Sequence, residues 1–232
     1  MTIFAIGDLH MPGGLDKTMD VFGEHWDGHI ERIEKLLFEQ VKPEDIVLIP
    51  GDISWAMQLR EALGDLERIG TWPGQKVMIR GNHDYWWGSI GKMRKMFPEG
   101  LYAIQNDAIC IGEVAICGTR GWIIPTQTTS DEDVRIVERE CVRLKLSLDR
   151  MMAYENVKLR IAMLHFPPFN RDVDHSPYYD ILSQYPIDHV VYGHLHGSGI
   201  SGRIEGRIGQ TEYHLASCDS LGFTPKVIDV LG

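Results

Sequence analysis

Four cysteines, no C-x-x-C pair and no apolar run near the roughly 20 residues of a membrane span leave this 232-residue chain few structural shortcuts. Cys110, Cys117, Cys141 and Cys218 have neither zinc-ribbon nor redox-pair spacing, so they read as small buried apolar residues in a reducing compartment. Basic residues are also scarce. Lys and Arg number 23 against 33 Asp and Glu, a formal charge of -10 that argues against a long phosphate-binding groove. Bound divalent cations would make such a surface locally positive, and that count omits them. The amino-terminal stretch has no basic start, and its apolar run breaks at Asp8, which predicts a cytoplasmic protein without a secretory signal. Internal repeats, low-complexity tracts and Pro/Ser-rich linkers are absent too, so residues 1–232 are expected to form one domain.

What the chain does have is 44% hydrophobic residues, arranged as strand-like runs that each end in metal-ligand chemistry. The runs at 2–6, 45–50, 76–80, 158–164 and 188–192 are apolar and rich in β-branched residues, as expected of largely parallel strands covered on both faces. After them come Asp8-Leu9-His10, Gly51-Asp52, Gly81-Asn82-His83-Asp84, His165 and Gly193-His194-Leu195-His196. A parallel sheet delivers the carboxyl ends of its strands to one rim, where open α/β sheets place their sites. Helical patterns alternate with the strands at 29–40, 55–69, 89–97 and 131–155. The last carries an apolar stripe of Val134, Val137, Cys141, Leu144, Leu148 and Met151, with Ser130 and Asp133 set as a capping box. Short runs at 101–105, 108–111, 114–118, 203–205, 207–216 and 226–230, with turns such as Gly112-Glu113, predict a second, hairpin-rich sheet.

Any one cluster arises often by chance; all five, in order at strand ends, point to a metal site. The pattern D-x-H, G-D, G-N-H-D, H and G-H-x-H resembles the calcineurin-like metallophosphoesterases, in a bacterial, single-domain form, from Asp8 to His196. That resemblance implies an α/β fold, a four-layer α/β/β/α sandwich of two mixed sheets flanked by helices. It also implies two divalent metal ions: Asp8, His10 and His196 around one, Asn82, His165 and His194 around the other, and Asp52 bridging them. His83 would face the substrate as the catalytic residue. The expected reaction is hydrolysis of a phosphomonoester, phosphodiester or pyrophosphate by a metal-bound hydroxide. A small phosphorylated molecule is the expected substrate, without a membrane or long nucleic acid as partner. A phosphoprotein phosphatase or nuclease of the same chemistry is the nearest alternative. A non-catalytic scaffold of this fold is the alternative from another class, and the presence of every expected ligand speaks against it.

The residue types fit that chemistry on physical grounds. Imidazole and carboxylate donors without thiolate suit Mn, Fe, Zn, Co or Ni, and ligand type does not choose among them. A carboxylate has two anionic oxygens, so Asp52 can hold ions about 3.5–4 Å apart. Acid catalysis by a residue such as His83 contributes roughly 10²–10⁴-fold. Gly51, Gly81 and Gly193 allow sharp turns and keep a Cβ out of the site.

Around these clusters the sequence leaves choices open. Asp84 can orient His83 or a neighbouring loop, or serve as a turn carboxylate. Tyr85, Trp86 and Trp87 can border a substrate mouth or pack locally. Arg120, near Trp122, can grip a phosphate or be paired. Residues 11–24 are a candidate gate, and Asn170 and Arg171 are candidate substrate contacts beside Pro167 and Pro168. His25 and His29 have i, i+4 spacing without a third partner, while His175, His189 and His214 match no motif position.

Overall fold

The computed structural model describes residues 1–14, 19–169 and 176–232. Among them, eleven strands form two mixed sheets. The first holds β1 (Thr2–Ala5), β2 (Ile46–Ile49), β3 (Gln75–Met78), β4 (Leu101–Ala103) and β11 (Lys226–Val230), in the order β11-β1-β2-β3-β4. The second holds β5 (Ala108–Ile111), β6 (Val114–Thr119), β7 (Leu159–Leu164), β8 (His189–Tyr192), β9 (Gly206–Ile208) and β10 (Thr211–Leu215), in the order β5-β6-β7-β8-β10-β9. Central pairs are parallel; β11, β5 and β9 pair antiparallel with their neighbours.

Strand alternation builds the layers, because successive side chains point to opposite faces. Ile3, Ala5, Ile46, Leu48 and Val77 meet Ile116, Ile161, Met163 and Val191 in a core between the sheets. The intervening residues Phe4, Val47, Ile49 and Met78 face outward, where they pack on helices α1 (His29–Gln40) and α2 (Leu59–Gly70) through Ile33, Leu37, Ala62 and Leu66. Ala162, Leu164, Val190 and Tyr192 do the same on the far side against α4 (Asp131–Met152) and α5 (Pro177–Leu182). The result is the expected four-layer sandwich. In α4 the stripe residues Val137, Leu144, Leu148 and Met151 are buried, and Ser130 caps the helix by accepting the Asp133 amide. The four cysteines are free thiols, two buried and two partly buried.

The differences from the sequence reading are local. Helix α2 starts at Leu59, behind a Gln58/Glu61 capping box, so Trp55 lies in the preceding loop instead of the helix. Helix α3 is short, Ile90–Arg94. The run at 207–216 splits at Gly209, whose φ is 62°, into the β9–β10 hairpin, and 203–205 is not a strand. β10 also pairs in parallel with β8, so its carboxyl end reaches the same rim as the five motif strands. Two contacts stitch the sheets there: the Gly7 amide donates to the Ala216 carbonyl and the Cys218 amide to the Gly7 carbonyl, at 2.6 and 3.1 Å. Among the described residues no helix is long and apolar enough to cross a membrane.

Candidate metal centre

The five motif segments converge where the carboxyl ends of β1, β2, β3, β7 and β8 meet. Close approach demands glycine in two of them. A Cβ on Gly193 would lie 2.5 Å from Asp8 Oδ2, and one on Gly81 would fall onto the Asp52 carboxylate. The crowding would thus strike the ligand carboxylates themselves. Asp8, His10, Asp52 and His194 hold positive φ values of 55°, 46°, 50° and 74°. Such left-handed conformations cost of order 1–3 kcal/mol each and cluster at functional sites.

Two triads result. Ligand atoms of Asp8, His10 and His196 lie within 4.8 Å of one another, as do those of Asp52, His165 and His194. His10 Nε2 is 3.3 Å from His196 Nε2, and His194 Nδ1 is 3.3 Å from His165 Nε2. Asn82 Oδ1 sits 2.7 Å from His165 Nε2, which adds it to the second group. Asp52 Oδ2 faces both, 3.8 Å from His10 Nε2 and 3.5 Å from His165 Nε2. Its other oxygen accepts the His83 amide at 2.8 Å.

Hydrogen bonds at the outer nitrogens decide which way the imidazoles present their lone pairs. His165 Nδ1 meets the Pro50 carbonyl at 3.0 Å, which makes Nδ1 the donor and leaves Nε2 bare toward the centre. His196 Nδ1 meets Asp219 Oδ1 at 2.9 Å with the same result. The Asp8 carboxylate accepts the His194 amide at 3.1 Å, so one loop braces the next.

Burial and mutual contact set the protonation of these side chains. Burial, and then the charge of Asp8, pushes Asp52 up to about 8. Burial works on Asp8 in the same direction, yet hydrogen bonding and charge from His196, with His165 and His10, hold it well below the ordinary carboxylate value. Desolvation drives His10 and His194 down to about 3, and lowers His165 as well. His196 goes the other way: despite its burial, the hydrogen bonds it donates to the Asp219 and Asp8 carboxylates lift it to about 10. Neutral imidazoles and paired carboxylates are the forms that bind cations, and a cation would displace the protons held by Asp52 and His196. His10 Nδ1 is buried without a hydrogen-bond partner among the described residues. The donor set therefore fits divalent metal.

His83 stands beside this group, its ring 5.7 Å from that of His10 and 4.7 Å from that of Trp55. Asp84 is fully buried and accepts the amides of Ile53, Ser54 and Gly81 and the indole N–H of Trp86. It is a brace for the Asp52 loop. Trp86 and Trp87 are core residues, 2% and 6% exposed, whereas Tyr85 is 55% exposed. The aromatic mouth is made instead by Trp26 and Trp55, which line a cavity of about 360 Å³ with His10, His83, His196 and Asp219. Trp55 stacks on His10 at 4.7 Å. On the other flank, Trp122, Phe166 and His194 border a second cavity of about 290 Å³.

Sequence reasoning missed Trp26, Trp55 and Asp219. The signal for Asp219 is an acidic residue a few positions beyond a parallel strand, but the sequence places β10 only in a hairpin. Arg120 lies over Trp122 at 4.4 Å and 3.8 Å from the buried Glu140, so it is paired and stacked. His29 is engaged with the carbonyls of Trp26 and Leu9, and His25 lies in a separate 3-10 turn, Glu24–Trp26. Of the candidate gate, Met19 and Phe22 border the larger cavity, while residues 15–18 lie outside the described residues, as do Asn170, Arg171 and His175.

The sequence pattern of the calcineurin-like phosphoesterase family matches residues 1–198. The chain belongs to that family: it is a phosphoric ester hydrolase of a metal-dependent class. Among solved structures it resembles the phosphopantetheinyl hydrolase of Mycobacterium tuberculosis, with a TM-score of 0.55, 14% identity, and 93% of this chain and 88% of that one covered. It also resembles a protein of unknown function from Aquifex aeolicus, with a TM-score of 0.49, 15% identity, and 97% and 95% covered. At 14% identity the likeness to the hydrolase is one of fold. No curated protein matches the sequence.

Proposed function

We propose that the chain hydrolyses a phosphate ester or pyrophosphate of a small molecule at a two-metal centre. Asp8, His10 and His196 hold one ion, Asn82, His165 and His194 hold the other, and Asp52 bridges them. The observation that carries the reading is Asp52 Oδ2, set between the triads within 4 Å of one imidazole from each. Bound divalent ions supply Lewis acidity toward phosphoryl oxygens and lower the pKa of water.

The protein's own residues do the rest. The Pro50 carbonyl and Asp219 keep His165 and His196 aimed inward. The neutral oxygen of Asn82 limits the ligand charge, which preserves the acidity of the ions. The His83 amide fixes the orientation of the Asp52 carboxylate, and its imidazole, at the cavity wall, serves the equatorial oxygens or the leaving group. Trp26 and Trp55 offer apolar faces to whatever the phosphate is attached to. Cavities of about 360 and 290 Å³ suit a small molecule, and the charge of -10 disfavours long nucleic acid. The reading treats residues 1–232 as one domain, supported by β11 closing the first sheet against β1.

The test is hydrolysis of bis-p-nitrophenyl and p-nitrophenyl phosphate with Mn²⁺, Fe²⁺, Zn²⁺, Co²⁺ or Ni²⁺, followed by a panel of nucleotides, sugar phosphates and phosphopantetheine conjugates. Turnover that chelation abolishes and metal restores is expected, and the ratio of the first two rates separates diesterase from monoesterase. Absence of turnover across metals and substrates would sink the proposal in favour of a scaffold.

A further inference from the structure

Among the described residues, a cluster of polar side chains stands beside the apolar inter-sheet core at the amino-terminal end of β8 and on the neighbouring strand β10. His189 opens β8, and Glu212 and His214 lie on β10, which pairs with it in parallel with Glu212 opposite His189. Alternation puts His189 and Val191 on one face of β8, and Glu212, His214 and Ala216 on the matching face of the β10 chain. Val191 and Ala216 belong to the core between the sheets. The three polar side chains therefore point into the layer that elsewhere holds Ile, Val and Leu.

Their ligand atoms all lie within 4.8 Å of one another. His189 Nδ1 is 3.0 Å from His214 Nε2, close to the 3.3 Å of the imidazole pairs in the carboxyl-end centre. At its other nitrogen, His189 Nε2 meets Asp229 Oδ2 at 2.8 Å. That carboxylate makes Nε2 the donor and leaves the Nδ1 lone pair aimed at His214, as Asp219 does for His196. Both histidines are buried, at 7% and 5% exposure, while the Glu212 side chain is 39% exposed and gives a route in from solvent.

We propose that His189, Glu212 and His214 bind a single divalent cation of the zinc type, with Asp229 orienting His189. Two imidazole nitrogens and a carboxylate oxygen, without thiolate, are a donor set for zinc and its neighbours in the first transition row. The cations nearby do not fill the place. Lys226 is held by Glu205 at 2.5 Å, and Arg207 reaches Glu212 only at 3.9 Å on the exposed rim. The site is separate from the hydrolytic centre, because His189 precedes His194 by five residues along a strand, on the order of 15 Å. Asp229 belongs to β11 of the first sheet and the other three to the second. The ion would thus clasp the sheets at the rim opposite the Gly7 stitch, and its effect falls on stability instead of turnover.

The experiment counts zinc. Wild type and His214→Gln are loaded with Zn²⁺, freed of loose metal by gel filtration and measured by mass spectrometry, with thermal midpoints alongside. The variant is expected to hold one ion fewer per chain, to keep wild-type hydrolysis and to lose part of the zinc-dependent rise in midpoint. Glu212→Gln, on the partly exposed edge, supplies the same comparison should His214→Gln fold poorly. Equal counts in wild type and either folded variant would overturn the proposal and leave a hydrogen-bonded relay from Asp229 through His189 to His214. Because the reading is a difference between two proteins, ions in the hydrolytic centre cancel, and failure there does not imitate failure here.

Discussion

Two His/carboxylate clusters lie on either side of strand β8, and their mechanics are opposite. At the carboxyl ends the ligands ride on loops, and four of the seven non-glycine residues with positive φ among the described residues are Asp8, His10, Asp52 and His194. In the second cluster His189, Glu212 and His214 sit in the regular strands β8 and β10, and none has a positive φ. The first arrangement spends stability to gather side chains that a straight strand would point apart. The second uses the sheet's own spacing. Converging loops can gather ligands from many strands around one point, whereas neighbouring strands bring together only what already faces across them, so substitutions in the two clusters should strike different observables.

The sharpest break is expected from Asp52→Asn. If Asp52 bridges two ions as proposed, losing its charge should strip metal from the carboxyl-end site and drop turnover to background; mass spectrometry showing full occupancy would contradict that role. Next comes His83→Ala, which should retain metal and lose roughly 10²–10⁴-fold in kcat, as expected of an acid or phosphoryl-oxygen contact. If metal falls with it, His83 belongs among the ligands. A smaller effect is expected of Asp219→Ala. Losing the carboxylate behind His196 should weaken metal binding about 10–100-fold, read by competition with a chelating dye, without abolishing turnover at saturating metal.

The smallest effect is on pH dependence. In chelated protein, Asp52 keeps its proton up to about 8 and His196 up to about 10, whereas the unfolded chain releases them near 3.8 and 6.5. The folded state then binds more protons between about pH 6.5 and 8, so stability falls as pH rises through that window. His10 and His194, lowered to about 3, exert their opposite effect below 6.5. The thermal midpoint of chelated protein should drop from pH 6.5 to 8, while metal-loaded protein, whose cations replace those protons, should stay level. A flat profile after chelation would show that the two protons are not held as described.

The sandwich and the strand-end position of the motif side chains were legible because both rest on local patterns. Alternation places Ile46 and Leu48 on one face and Val47 and Ile49 on the other, and D-x-H or G-H-x-H sets ligands just past a strand end. The aromatic mouth was not legible in that way. Trp86 and Trp87 sit close to His83 in the chain yet turn into the core, while Trp26 and Trp55, far apart in the chain, line the same cavity. Adjacency in sequence misled because a tight turn sends successive side chains in different directions. His189 and His214 matched no motif, and their pairing depends on β8 and β10 lying side by side.

The chemical groups at each strand end follow from the local sequence, since strand period and turn residues act over a few positions. Their partners come from long-range packing: Asp219 behind His196, Pro50 behind His165, Asp229 behind His189. Those contacts join segments from 23 to 115 residues apart, and their existence depends on sheet order, which no local preference specifies.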